Sequence, residues 1–217
     1  MKLVSKITIV ALAAMLFSGA QTAEAFLTPS QIPFPKPIVI DITTHRGNIK
    51  DLDLRPQPCF KATLLMNESV RFDWPDKSKE KFIVKNAAGK IVFERSIDDN
   101  GNFEIVPASV GLKTGEEYSW SVDGGLNTYN FTILDEQTER ELFDALAEIE
   151  TDTNLSSDER IIKKAYYLQL LSDREAALDL YWLSVRWLNK ISPENKQLAD
   201  EKYDLLYRYT KHIHKRK

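Results

Sequence analysis

The chain has 217 residues, of which 43% are hydrophobic and 28% charged, and its formal net charge is −3. A weakly acidic surface of mixed sign has no general attraction for nucleic acid, which is therefore excluded as the expected partner. Because Cys59 is the single cysteine, an internal disulfide is excluded as well, and packing must hold the cores together.

The first 25 residues have the three-part layout of a secretory signal peptide. Lys2 and Lys6 give a positive start, an apolar run covers residues 7–17, and Ala-Glu-Ala at residues 23–25 is a small-x-small cleavage pattern. The run is shorter than the roughly 20 apolar residues of a permanent membrane span. We therefore expect an exported bacterial protein whose mature chain begins at Phe26. This chain is expected to have no membrane span and to work in the periplasm, in the cell envelope or outside the cell.

The next segment, residues 26–37, is rich in proline, with Pro29, Pro33, Pro35 and Pro37. Proline at this density blocks helices and sheet ladders. The segment is predicted to be an extended leader that holds the following domain away from its surroundings.

Residues 38–135 are predicted to form a β domain. Short segments of alternating character are separated by turn residues, and the strands are expected at residues 60–66, 70–74, 81–86, 91–97, 102–106, 118–122 and 128–134, with residues 38–40 as a further candidate. Short strands at regular spacing without a helix between them indicate a sandwich of two antiparallel sheets.

One motif in this region points to a fold. Leu112, Gly115, Tyr118, Trp120 and Val122 form the pattern L-x-x-G-x-x-Y-x-W-x-V. This pattern resembles the corner of fibronectin type III-like and related Ig-like modules, in which the leucine and the tyrosine brace the turn into a late strand. The resemblance extends over residues 60–135, and it implies a β-sandwich without implying one function, since such sandwiches have many unrelated roles.

Residues 136–217 are predicted to be a small helical bundle with a basic C-terminal tail. The hydrophobic period changes to about 3.6, and Leu142, Phe143, Leu146 and Ile149 mark a first helix. Three further helix starts are indicated by Ser156 with Glu159, Ser172 with Glu175, and Ser192 before Pro193.

The second and third of these helices follow each other so closely that an antiparallel hairpin is expected. Ala165, Leu168, Ala177 and Tyr181 fall near the small and large positions of tetratricopeptide-like repeats, which the hairpin resembles. A single unit of this kind cannot bury both of its faces. It is therefore expected to pack on the last helix, on the sandwich or on another protein.

Candidate catalytic and metal-binding groups are few. A nucleophile needs a nearby base, but His45 and Cys59 have no glycine turn beside them that would bind an oxyanion. His212 and His214 lie in a cationic tail without an adjacent carboxylate or thiolate, so a solvated helix end is expected there instead of a metal site.

Paired carboxylates are the remaining catalytic candidates. Asp98-Asp99, Glu116-Glu117 and Asp73 with Asp76 lie in predicted turns, where acidic residues are common for reasons of hydrogen bonding. We accordingly expect a protein that is not an enzyme and that has no cofactor and no bound metal. A hydrolase that uses these turn carboxylates is the third alternative.

Tyrosine and tryptophan are concentrated in the helical part, at Tyr166, Tyr167, Tyr181, Trp182, Trp187, Tyr203, Tyr207 and Tyr209. One helical face cannot hold them all, and exposed rings of this kind are typical of binding hot spots. Tyr167, Trp182, Trp187 and Tyr207 are therefore predicted to be partner-binding residues. The competing interpretation is that these rings fill joints between the helices and the sandwich.

These observations predict an exported protein that binds another envelope or secreted protein through its helical part. A module that binds carbohydrate or cell-wall polysaccharide, with aromatic rings as sugar platforms, is the alternative.

Overall fold

The computed structural model describes residues 27–35, 57–58, 61–75, 81–97, 101–123, 127–175, 178–191 and 195–215. The predicted signal peptide, the candidate strand at residues 38–40, Cys59 and His45 lie outside these residues. Strands occupy the N-terminal part of the chain and helices the C-terminal part, as predicted.

The described residues form seven strands: β1 Ala62–Leu64, β2 Val70–Asp73, β3 Lys81–Asn86, β4 Ile91–Ser96, β5 Asn102–Ile105, β6 Glu117–Val122 and β7 Tyr129–Ile133. All seven coincide with a predicted strand. They are arranged in a five-stranded sheet, ordered β1-β7-β6-β3-β4, and a two-stranded sheet of β2 and β5. The pairing of β1 with β7 is parallel, and the other pairings are antiparallel.

Aromatic side chains from both sheets meet in one core. The ring of Phe72 on β2 lies 4.8 Å from Phe82 on β3 and 5.3 Å from Trp120 on β6, centroid to centroid. It also approaches Phe131 on β7 at 6.1 Å. These contacts explain why alternate residues of the central strands are apolar, since their side chains all point to the same interior.

The corner before β6 has the predicted arrangement. Leu112 and Tyr118 are buried, and the backbone N–H of Lys113 donates to the Tyr118 hydroxyl oxygen at 3.0 Å. The same hydroxyl donates to Glu116 Oε2 at 2.9 Å. Gly115, with φ of +71°, makes the left-handed turn that brings the chain into β6.

Four α-helices follow the strands within the described residues: α1 Glu136–Glu150, α2 Ser157–Arg174, α3 Tyr181–Leu188 and α4 Ala199–Lys215. The predicted capping box of α2 is confirmed. Glu159 N–H donates to the Ser156 hydroxyl at 3.3 Å, and the Ser156 N–H donates to Glu159 Oε2 at 2.8 Å.

The predicted helix start at Ser172 is wrong. Ser172 belongs to the last turn of α2, where its hydroxyl donates to the Leu168 carbonyl oxygen at 2.8 Å and accepts from the Leu180 N–H at 2.8 Å. The hydroxyl is therefore bonded to the preceding turn and to the start of α3, and it does not cap the residues that follow it. The next helix begins at Tyr181.

The stripe predicted for the last helical segment is confirmed. Leu198, Leu205, Tyr209 and Ile213 are buried together in a second hydrophobic cluster that also holds residues of α2 and α3. The predicted start at Ser192 and Pro193 lies outside the described residues.

The proline-rich segment is docked instead of extended, which corrects the predicted leader over its described residues 27–35. Pro29–Gln31 forms a 3₁₀ turn, and the Ser30 N–H donates to Glu148 Oε1 on α1 at 3.1 Å. Ile32 is buried in the main core. The docked arrangement is favoured because it removes apolar side chains that lie between the prolines from water, whereas an extended leader would leave them exposed.

One hydrophobic cluster joins the strands to the helices. It contains Phe72 and Trp120 from the sheets and Leu142, Tyr167 and Trp182 from the helices. The boundary between the predicted domains at residues 135 and 136 coincides with the start of α1. The division into two domains stays a prediction, because side chains on both sides of that boundary share this core.

Candidate functional site

Two of the four predicted partner-binding residues are buried. Tyr167 is 0% exposed and Trp182 is 4% exposed, so the expectation that they lie on an outer face is wrong. The Trp182 indole N–H donates to the Thr63 carbonyl oxygen at 2.7 Å. Burial raises the pKa of the Tyr167 hydroxyl, and the charges of Glu148 and Glu175 add to the shift. Both rings fill the joint between helices and strands, which was the competing interpretation.

The other two predicted residues, Trp187 and Tyr207, are half-buried. Lys190 Nζ lies 3.7 Å from the Trp187 ring centroid, and Lys164 Nζ lies 4.5 Å from it. Lys211 Nζ lies 4.7 Å from the centroid of Tyr207. The chain's own cations therefore occupy faces of these rings. Partner binding at Trp187 and Tyr207 stays a prediction.

His212 is not at a solvated helix end, which corrects that expectation. Its side chain is 12% exposed, and Nε2 lies 2.7 Å from Asp179 Oδ2. The imidazole also stacks on Tyr181, with the ring centroids 4.2 Å apart. The contact between His212 and Asp179 links α4 to the segment between α2 and α3. Among the described residues, no group of three or more metal-ligating side chains is placed to hold a metal ion.

The carboxylate pairs of the hydrolase alternative are only partly described. Asp98, Asp99 and Asp76 lie outside the described residues. Glu116 accepts from the Tyr118 hydroxyl in the corner before β6, and Asp73 Oδ2 lies 3.6 Å from Arg71 Nη2. Both of these carboxylates thus have local structural contacts.

A cleft that the sequence analysis missed lies where α1 meets the ends of the strands. It is open to solvent and has a volume of about 700 Å³. Three elements form its walls: the loop after β1, the corner before β6, and the first turns of α1. The lining residues are Met66, Asn67, Lys113, Thr114, Glu116, Glu136, Glu139, Arg140, Phe143 and Asp144.

Glu139 is a buried carboxylate in the wall of this cleft, 7% exposed. Its Oε2 accepts from the Met66 backbone N–H at 3.3 Å, whereas Oε1 is shielded from water and has no hydrogen-bond partner among the described residues. Burial raises the pKa of the Glu139 carboxyl; the N–H groups of Met66 and Asn67 oppose this shift, and the charges of Glu68 and Glu136 add to it. A buried carboxylate with one unpaired oxygen is costly unless a proton or a cation is supplied.

Phe143 is a large, exposed apolar side chain in the wall of the cleft. The apolar pattern that predicts α1 groups it in one stripe with Leu142, Leu146 and Ile149, but the side chain is 39% exposed. The stripe is made instead by Glu139, Leu142, Leu146 and Ile149, all of them buried. A carboxylate at the i−3 position of an apolar stripe was the signal in the sequence that could have identified Glu139 as unusual.

In the part of the chain that the structure describes, no helix combines the length and the apolar character that a bilayer crossing requires.

No protein family matches the chain, and no curated protein matches it. Two crystal structures of strand-swapped dimers of the mouse leukocyte-associated immunoglobulin-like receptor 1 are similar to it. The structure of the extracellular domain is 17% identical with a TM-score of 0.25 and covers 39% of this chain and 90% of that chain. The structure of the Ig-like domain is 16% identical with a TM-score of 0.24 and covers 39% of this chain and 98% of that chain.

Proposed function

We propose that this chain is an exported, non-catalytic protein that binds another envelope or secreted protein, and that the partner contacts the cleft beside α1. The observation that supports this most directly is Phe143, a large apolar side chain that is 39% exposed on the wall of an open cleft of about 700 Å³. Exposed apolar groups next to a concave, polar-rimmed surface are typical of interaction sites.

The cleft is a better candidate than the helical aromatic residues that the sequence favoured. Trp187 and Tyr207 have ring faces covered by lysine ammonium groups of the same chain. A sugar platform would need an open ring face, so the carbohydrate-binding alternative has no comparable support from these two rings. Phe143 belongs to the helical part, through which the sequence predicts binding, and it lies on the first helix of that part.

We also infer that the strand region is an Ig-like β-sandwich. In Ig-like domains strands C, F and G share one sheet, joined by C′ in the variable type, and B and E belong to the other sheet. With β2 taken as B and β5 as E, the strands β3, β4, β6 and β7 correspond to C, C′, F and G. The hydrogen bond from the Lys113 N–H to the Tyr118 hydroxyl oxygen is the tyrosine corner of such domains.

An aromatic contact takes the place of the disulfide of antibody domains in this assignment. The second cysteine of that disulfide follows the corner tyrosine by two residues, and Trp120 is at this position here. Trp120 meets Phe72 of β2 edge to face, with centroids 5.3 Å apart. This contact joins the same two strands that the disulfide joins. The tetratricopeptide-like character of α2 and α3 stays a prediction.

Site-specific photo-crosslinking tests the proposed function. p-Benzoylphenylalanine is introduced in place of Phe143 in one protein and in place of Tyr207 in a second, and each is irradiated in the native envelope fraction. A single protein that crosslinks at position 143, and that is displaced by excess unlabelled chain, would support the proposal. Crosslinking at position 207 alone would favour the helical aromatic surface, and recovery of wall polymer alone would favour the carbohydrate-binding alternative.

Export is tested separately by N-terminal sequencing of the protein purified from its native source. We expect the mature chain to begin at Phe26. A chain that retains Met1 in the cytoplasmic fraction would contradict export.

A further inference from the structure

We infer that the cleft takes the side chain of a lysine or an arginine from the partner, with the Glu139 carboxylate as its counter-charge and Phe143 against its aliphatic stem. This inference rests on the proposed function, and it names the chemistry of the segment that binds.

The state of Glu139 is the first support. Oε2 is bonded to the Met66 N–H, and Oε1 has no hydrogen-bond partner among the described residues. A charged hydrogen bond at a desolvated site is stronger than one in water, because the surrounding dielectric constant is lower. Glu139 is also one of the residues that line the cleft.

The charge of the cleft is the second support. Its walls carry four carboxylates, of Glu116, Glu136, Glu139 and Asp144, against the two cations of Lys113 and Arg140. An excess of carboxylates attracts a cationic segment and repels an acidic one.

Neither cation of the wall is paired with Glu139. Lys113 Nζ lies 3.6 Å from Glu116 Oε1. Arg140 follows Glu139 directly on α1, and successive residues of a helix are rotated by about 100°, so their side chains point in different directions. Neither of these two wall cations therefore serves as the counter-charge of Glu139, which leaves its carboxylate available to a cation from a partner.

The position of Phe143 is the third support. Phe143 follows Glu139 by four residues on α1, so the two side chains are neighbours on one face of the helix. Lysine and arginine have an apolar stem and a charged end. A stem that packs on the Phe143 ring would thus bring its charge to the neighbouring carboxylate, and the ring face adds a cation–π attraction.

The test uses two small probes and the purified chain without its predicted signal peptide. Nα-acetyl-lysine methylamide and Nα-acetyl-norleucine methylamide have similar stems, but only the first has a charge. Binding is followed by NMR at the Met66 and Asn67 amides, because the Met66 N–H donates to Glu139 and Asn67 lies beside it in the same wall. We expect saturable shifts at both amides with the lysine probe and roughly tenfold weaker binding of the norleucine probe.

Three variants separate charge from apolar contact. Glu139→Gln keeps an acceptor for the Met66 N–H and removes the charge, so it is expected to abolish the preference for lysine over norleucine. Asp144→Asn removes an exposed carboxylate from the same wall, and it is expected to change lysine affinity by no more than about threefold. Phe143→Ala is expected to weaken both probes to a similar extent.

The outcomes distinguish this inference from the proposed function. Equal affinity for the two probes, or a lysine preference that persists in Glu139→Gln, would overturn the inference, while crosslinking at position 143 would still support protein binding. Absence of a crosslinked protein together with a lysine preference that requires Glu139 would uphold the cation site and remove the support for the proposed function.

Discussion

The indole N–H of Trp182 on α3 donates to the backbone carbonyl oxygen of Thr63 on β1 at 2.7 Å. The same strand residue donates its own N–H to the Asp179 carbonyl oxygen at 2.8 Å and accepts from the Asp179 N–H at its hydroxyl at 2.9 Å. The neighbouring Leu64 carbonyl accepts from Leu134, beyond the end of β7. The side of β1 that faces away from β7 is thus covered by the helical part, which satisfies a strand edge that would otherwise be open to pairing.

Trp182→Ala is expected to lower the free energy of unfolding by about 3–5 kcal/mol, because it opens a cavity in the shared core and leaves the Thr63 carbonyl without this donor. Urea unfolding followed by circular dichroism measures the change. Tyr207→Ala is the matched control, since that ring is half-buried and its loss should cost much less. Equal effects of the two substitutions would contradict the structural role of Trp182.

Glu139→Gln is expected to raise the free energy of unfolding at neutral pH. The raised pKa means that the folded state holds the proton more tightly than the unfolded state does, so the wild-type protein loses stability as pH rises from 4.5, the ordinary value, through the raised pKa. Below this pH window Glu139 is protonated in both the folded and the unfolded protein, so the free energies of unfolding of the wild type and of Glu139→Gln should converge.

Thermal unfolding of the two proteins across the acidic to neutral range measures this difference. Asp144→Asn on the same helix is the control, and it should follow the wild type. A stability difference that is the same at every pH would show that geometry, and not the charge of Glu139, is responsible.

His212→Ala is expected to lower the free energy of unfolding by roughly 1–3 kcal/mol, because it removes a partner from the buried Asp179 carboxylate. It also removes the ring that stacks on Tyr181. Limited proteolysis should then cut within α4 sooner than in the wild type. Lys211→Ala, at an exposed neighbouring position, is the control, and equal proteolysis of the two variants would count against the fastening of α4 by His212.

Tyr118→Phe is expected to lower the free energy of unfolding by about 0.5–1.5 kcal/mol, since it removes the hydroxyl oxygen that accepts from the Lys113 N–H. Hydrogen exchange should accelerate at the Lys113 amide in particular. Unchanged protection of that amide would mean that the corner does not depend on this bond.

Sequence patterns predicted the secondary-structure elements well wherever interactions between residues close together in the chain determine them. The segment predicted at residues 81–86 is β3, with the same bounds, because its apolar residues and the turn at Ala88-Gly89 that follows it are properties of adjacent residues. The box of Ser156 and Glu159 starts α2 for the same reason. The identical spacing of Ser172 and Glu175 failed, because the Ser172 hydroxyl accepts from Leu180, on a segment that lies beside it only after folding.

The candidate site was less predictable than the elements. A hydrophobicity pattern predicts a buried Phe143 and an exposed Glu139, whereas Glu139 is buried and Phe143 is exposed. The Met66 N–H, in the loop after β1, donates to the Glu139 carboxylate and so stabilises it in the interior. Burial of Tyr167 and Trp182 likewise depends on which strands lie against α2 and α3.

The sequence by itself determined the order and the approximate positions of the strands, the corner at Tyr118 and the start of α2, because each depends on interactions between residues close together in the chain. It also determined the expectation of export. Only the tertiary structure decided which side chains are buried, how His212 finds Asp179, and where the cleft lies. These features are set by contacts between segments far apart in the chain, and the same local pattern is compatible with either outcome until those segments have packed.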